Sequence, residues 1–155
     1  MTTLNVGDLA PDFDLAADGG GRVALSALKG KPVVLYFYPK DDTSGCTAEA
    51  QGFTEAAADF AAAGAVVVGV SRDSAASHDK FKAKYALDLI LGSDPEGAAT
   101  EAYGVWVEKS MYGRKYMGIE RATFLIGADG RLAAIWRKVK VPGHVAAVLA
   151  AVKAG

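Results

Sequence analysis

The chain contains a single cysteine, Cys46, among its 155 residues. That excludes an intrachain disulfide and any cysteine-based zinc site, so a redox reaction at Cys46 must find its second thiol on another molecule. Seventeen basic and eighteen acidic residues leave a formal net charge of -1, which removes the bulk electrostatic case for a nucleic-acid or membrane-surface partner. The longest apolar stretches, such as Ala61–Val70, are far too short to span a bilayer. Met1–Val6 has neither the basic nor the apolar segment of a signal peptide, so a cytoplasmic protein is expected. There is no internal repeat and no low-complexity linker. With 51% hydrophobic residues at this length, one domain spanning 1–155 around a sizeable core is expected.

Periodicity orders the elements. Pro11–Leu15 and Arg22–Leu25 predict short strands, with Asp18-Gly19-Gly20-Gly21 as the turn between them. The continuous apolar run Pro32–Tyr38 predicts a central strand buried on both faces. Ala50, Phe53, Ala57 and Phe60 recur at helical spacing, predicting one helix from about Thr47 to a stop at Gly64. Ala65–Val70 reads as a second buried strand, and Ala75–Tyr85 as a helix with Phe81 and Tyr85 on one face. Asp94-Pro95 opens a short helix towards Tyr103, and Val107–Glu120 has so little pattern that it reads as a long loop. Ala122–Ile126 and Leu132–Trp136 predict a hairpin turning at Ala128-Asp129-Gly130. Val141, Val145, Val148, Leu149 and Val152 form the stripe of a C-terminal helix. The class is α/β. The order β-β, β-α-β-α-α, β-β-α is that of a thioredoxin-like fold with an N-terminal β-hairpin extension, and topology of that kind does not by itself assign a function.

Cys46 falls at a strand-to-helix junction, in or next to a first helical turn. Unpaired N–H groups and the positive end of the helix dipole favour a thiolate at such a place. Pro39, Thr43 and Cys46 fit the spacing Pro-x-x-x-Thr-x-x-Cys. Pro39 ends the strand because it cannot donate to the ladder, and its ring is placed to shield the sulfur from water. Thr43 brings a hydroxyl able to donate to one atom and accept from another. Gly45 allows close backbone approach to a ligand.

The segment Tyr36-Phe37-Tyr38-Pro39-Lys40-Asp41-Asp42-Thr43-Ser44-Gly45-Cys46-Thr47 resembles the active-site signature of the peroxiredoxins, in particular the bacterioferritin-comigratory-protein or PrxQ type. The likeness continues through Val70–Ser74, Ser77–Phe81, Ser93–Pro95, Ala102–Trp106 and Gly118–Ile126, in order and over nearly the whole chain. It implies a peroxiredoxin architecture, reduction of hydrogen peroxide and organic hydroperoxides, and no cofactor or metal. By position it implies Cys46 as the peroxidatic cysteine, Thr43 and Pro39 as the motif threonine and proline, and Arg121 as the active-site arginine. Gln51 stands where many members carry a resolving cysteine, and Ser77–Tyr85 holds none, so the chain resembles a one-cysteine member. A sulfenic acid on Cys46 would then be cleared by thioredoxin, glutaredoxin, a small thiol or Cys46 of a second chain. The protein would be a monomer or a homodimer.

Full ionisation of a free thiol gains only about thirty-fold in nucleophile at pH 7, or about 2 kcal/mol. Fast peroxide reduction therefore needs stabilisation of the departing oxygen, and Arg121, Thr43 and the N–H groups near Gly45 and Cys46 are the expected source. Glu49, one turn after Cys46, is expected either to orient Arg121 or to lie on a solvated helix face. The same residues admit other assignments. A Cys–His hydrolase would need His78 or His144 beside Cys46. A thiol–disulfide oxidoreductase would want a second cysteine at position 49, which is Glu. Asp41-Asp42 reads as turn and cap chemistry rather than a metal site. A non-catalytic redox sensor would consume one equivalent of peroxide where an enzyme consumes many.

Overall fold

The computed structural model describes residues 4–155. Strand β1 (Asp14–Ala17) turns through Gly19 and Gly20, both at positive φ, into β2 (Arg22–Ala24), with Leu15 opposite Val23. The strand lies slightly later than the expected Pro11–Leu15, because its register is set by pairing with a neighbour as well as with β2. Strand β3 (Val33–Phe37) runs parallel to β4 (Val66–Ser71) and antiparallel to β8 (Ala122–Ile126). All five β3 residues are buried, as its β-branched and aromatic composition demands of a strand flanked on both sides. Val33, Leu35 and Phe37 enter one core with Val68, Val70 and Phe124. Val34, Tyr36 and Tyr38 enter the other, with Cys46, Phe53, Phe60, Phe81 and Val148 from the helices. This two-residue alternation delivers Tyr36 and Tyr38 to the layer that holds Cys46.

Helix α1 (Ser44–Glu55) begins three residues earlier than the periodicity indicates, which makes Cys46 its third residue. The single helix expected up to Gly64 is two segments. Ala56 leaves the helical region at φ -92 and ψ 5, and α2 (Ala57–Ala62) then continues to a stop with Gly64 at φ 77. Helix α3 (Ala75–Tyr85) is as expected, its first turn closed by the Ser74 hydroxyl on the Ser77 N–H. Strand β5 (Ile90–Ser93) adds an element that the sequence pattern does not predict. It pairs parallel to β4 and antiparallel to β1, and so joins the N-terminal hairpin to the main sheet. Its apolar run Leu89–Leu91 is too short to separate from a helix end by pattern alone. Helix α4 (Ala98–Ala102) starts after Asp94-Pro95, and the Asp94 carboxylate receives the N–H groups of Ala99 and Thr100.

Residues 107–120, expected as a long loop, form most of a hairpin. Strand β6 (Trp106–Met111) pairs with β7 (Arg114–Ile119), and the two turn residues Tyr112 and Gly113 both have positive φ, as a two-residue hairpin requires. The hairpin lies outside the main sheet with most of its side chains exposed, so its sequence shows no alternation of apolar and polar residues. Strand β9 (Leu132–Trp136) completes the order β2-β1-β5-β4-β3-β8-β9. Helix α5 (His144–Ala154) buries Val148 and Val152, while Val141 precedes it. Among the described residues no helix is long and apolar enough to cross a membrane.

Candidate active site

Strand β3 ends at Phe37, and the chain passes through Tyr38–Thr43 into α1. The Thr43 carbonyl accepts the Thr47 N–H, so the N–H groups of Ser44, Gly45 and Cys46 have no acceptor within the helix and face outward at its positive end. Cys46 is 2% exposed.

The antiparallel pairing of Phe37 with Ala122 sets Arg121 across from Tyr38, where the chain leaves the sheet. From there the guanidinium reaches over α1. Arg121 Nη2 donates to Cys46 Sγ at 3.3 Å, and Nη1 donates to Glu49 Oε1 at 2.7 Å. One planar fork thus holds the thiol and a carboxylate together, a geometry that a lysine cannot reproduce. Gly45 contributes space. A Cβ at this position would lie 3.1 Å from Arg121 Nη2 and push the guanidinium from the sulfur. Burial pulls the Arg121 pKa down, but the nearby charges of Glu49 and Cys46 outweigh this and raise it, so the cation is secure.

Glu49 is fully buried, which excludes the solvated helix face and leaves the bridge to Arg121. Its Oε2 has no hydrogen-bond partner, nor has the buried Tyr36 hydroxyl. Burial pushes the Glu49 pKa up to about 7, against the opposing pull of Arg121. The folded chain therefore holds this proton more tightly than the unfolded chain, whose carboxyl has the ordinary value of 4.5. The contribution of Glu49 to stability is complete below about 4.5 and is lost as pH rises through about 7. Urea unfolding of the Glu49→Gln protein between pH 4.5 and pH 8 should show a flatter pH dependence than wild type, the difference reaching about 3 kcal/mol at most. Identical slopes would place the Glu49 proton elsewhere.

Thr43 stands at the N-cap position without capping: its hydroxyl donates to the Lys40 carbonyl at 2.9 Å and bonds no helix N–H. With its proton so engaged, the hydroxyl oxygen keeps its lone pairs to offer to a donor. Pro39 is exposed just past the strand end. Neither histidine hydrogen-bonds Cys46. His78 bonds Asp41 and the Gly92 carbonyl, and His144 Nε2 lies 2.7 Å from Thr123 Oγ1, so the geometry a Cys–His hydrolase needs is not formed. Asp41 and Asp42 are taken up by contacts to α3. Lys109 on β6 escaped the sequence reading altogether. Burial and then Arg121 hold its ammonium pKa below the ordinary value, while the charge of Cys46 opposes them, which places this lysine within the field of the site. No sequence signal marks it, because it belongs to the hairpin whose pattern is blank. The exposed Met111, Tyr112, Tyr116 and Met117 lie on the same hairpin.

A model of the AhpC/TSA family matches residues 6–135. The chain is 52% identical over 147 residues to a putative peroxiredoxin Bcp from Coxiella burnetii, covering 95% of this chain and 97% of that protein. It is 51% identical over 151 residues to peroxiredoxin Bcp of Bacillus subtilis, covering 97% and 96%. Among solved structures, peroxiredoxin Q of Xanthomonas campestris matches with a TM-score of 0.88 at 48% identity, over 92% of this chain and 90% of that one. PrxQ of Xylella fastidiosa matches with a TM-score of 0.93 at 41% identity, over 99% and 98%. With half of its residues shared end to end with named peroxiredoxins, the chain belongs to the AhpC/TSA family as a peroxiredoxin of the Bcp/PrxQ type, a thiol peroxidase with a single cysteine.

Proposed function

We propose that Cys46 is the nucleophile of this peroxidase and that its oxidation is cleared by a thiol from outside the chain. The observation that carries the reading is the Arg121 fork, which sets a fixed cation against the Cys46 sulfur. The Cys46 thiolate attacks the distal oxygen of the peroxide, a sulfur–oxygen bond forms, and the O–O bond breaks. The leaving hydroxide or alkoxide takes a proton to become water or alcohol. Charge moves from sulfur to the leaving oxygen, and Arg121 with the Gly45 and Cys46 N–H groups is placed to stabilise it throughout. Thr43 accepts the peroxide O–H and lines the two oxygens up for in-line attack. Pro39 walls the site, Gly45 keeps it open to Arg121, and Glu49 orients the guanidinium.

The Cys46 sulfenic acid has no internal thiol partner in this sequence. A first external thiol condenses with it, releasing water and leaving a mixed disulfide. A second thiol then releases Cys46 and carries away the disulfide, so each peroxide consumes two thiols. Thioredoxin, glutaredoxin or a small thiol supplies them, and the cytoplasm, where such thiols are kept reduced, is the proposed location.

Mass spectrometry after one equivalent of hydrogen peroxide should find Cys46 as sulfenic acid or as an intermolecular adduct. Excess peroxide without thiol should drive it on to sulfinic acid. An unmodified Cys46 beside consumed peroxide would refute the assignment.

A further inference from the structure

Strand β9 ends at Trp136, and the chain runs through residues 137–143 before α5 begins at His144. This segment and the start of α5 enclose an open cleft of about 490 Å³. Arg137, Lys138 and Lys140 line it, and no acidic residue does. Among the described residues none of the three has an ion pair. Arg137 instead lies over the Phe124 ring at 5.4 Å. The cleft therefore carries positive charge that the protein leaves unmatched.

The start of α5 adds donors. This helix of 11 residues has no side-chain cap. The Ala147 N–H donates to the Gly143 carbonyl at 3.2 Å, and the His144 N–H to the Val141 carbonyl at 3.0 Å. Between them the N–H groups of Val145 and Ala146 have no acceptor, at the positive end of the helix. Gly143 carries no side chain over them, and the space beside it is empty to 4 Å.

A buried side chain points to a ligand independently. His144 lines the same cleft although it is only 6% exposed. Its Nε2 lies 2.7 Å from Thr123 Oγ1, and its Nδ1 has no partner among the described residues. Unlike the orphaned Glu49 Oε2, this Nδ1 is not sealed away from solvent. Burial, and then the charge of Arg121, hold the imidazole pKa below the ordinary value, so the ring is neutral at pH 7. With the Thr123 hydroxyl donating to Nε2, Nδ1 carries the proton and is a donor without an acceptor.

We propose that the cleft between β9 and α5 is a binding site for the phosphate group of a small molecule. A carboxylate has two oxygens to offer, whereas a phosphate has at least three and up to two charges. That matches donors from three sources: the α5 N–H groups, His144 Nδ1, and the cations Lys138, Lys140 and Arg137. Half-buried Trp136 lines the cleft too, edge-on to His144 at 5.8 Å, and gives a ring attached to the phosphate an aromatic surface. The Val139 N–H ties the segment to the Arg121 carbonyl at 3.0 Å, yet Cys46, Thr43 and Glu49 do not line the cleft, so it is a second site.

The test titrates the full chain with inorganic phosphate and, separately, with adenosine monophosphate, read by calorimetry and Trp fluorescence. Ionic strength is held constant with chloride, so that general screening is the same at every point. Phosphate should bind saturably with one site per chain. The double variant Lys138→Gln, Lys140→Gln should bind at least about tenfold more weakly, as loss of charge-assisted contacts requires. Both lysines are exposed and unpaired, so the thermal midpoint without phosphate should not move. Ring nitrogen NMR of the wild type should show phosphate shifting His144 Nδ1 and raising the pKa of the ring. Adenosine monophosphate binding tenfold tighter than phosphate would assign the site to a phosphate ester, and binding no tighter would assign it to free phosphate. No saturable binding, an affinity unchanged in the double variant, or a His144 ring blind to saturating phosphate would each overturn the proposal.

Discussion

Cys46→Ser should lose peroxide turnover altogether, with kcat/KM falling by roughly 10⁴-fold or more, as removal of a catalytic nucleophile does elsewhere. The change replaces sulfur by oxygen in a buried position without altering the shape of the side chain, and a serine Oγ still accepts a hydrogen bond from Arg121 Nη2. The thermal midpoint should consequently stay within a few degrees of wild type. An alcohol is a far weaker nucleophile than a thiolate at neutral pH, and the N–H groups at the start of α1 together with one guanidinium are too little to ionise it. The measurement is steady-state peroxide consumption with excess dithiothreitol, with single-turnover fluorescence from Trp106 and Trp136 as a second readout. Wild type should consume many equivalents per chain. A variant retaining more than about 1% of that activity would remove Cys46 from the mechanism.

Arg121→Ala should lower kcat/KM for hydrogen peroxide by about 10²- to 10³-fold, the usual cost of deleting one donor to a developing oxyanion. The guanidinium touches the sulfur and a buried carboxylate at once, so its removal acts twice. The leaving oxygen loses a cation, and Glu49 is left buried with neither oxygen paired. Glu49 then answers by holding its proton to higher pH, which spares the protein the full cost of an isolated buried charge. Arg121→Lys separates the two effects. A lysine keeps the charge but is a single point donor, so it serves either the sulfur or Glu49 and should recover only part of the rate. Unchanged kcat/KM in Arg121→Ala would make the fork a structural tie between β8 and α1 and nothing more.

The sequence made parts of the site legible where the information is local. Cys46, Thr43 and Gly45 lie within four residues, and the apolar run before them and the helical run after them place the thiol at a helix start without any tertiary contact. The ends of the elements were less legible. The break at Ala56 lies in an alanine-rich stretch where every residue favours helix, and only the packing of α1 and α2 selects the place. Strand β5 is invisible because four residues give no periodicity. The β6–β7 hairpin is invisible because most of its side chains are exposed and the few buried ones, such as Ile119, do not alternate along it.

Glu49 shows the limit most clearly. By helical spacing it belonged equally to a solvent face or to the site. It is buried, and its partner is Arg121, 72 residues further on, brought to it by the β3–β8 pairing. His78 and Asp41 are 37 residues apart and read separately as a helix residue and a turn residue, and they become a buried ion pair only when α3 packs against the turn. Order along the chain was thus enough to place Cys46 at a helix start and to give the fold class, because hydrophobic period and backbone restriction act between near neighbours. The charge state of Glu49, the direction of Arg121 and the fastening of the active-site turn required the folded sheet. They depend on which charges meet away from water, and a single strand or helix cannot arrange that.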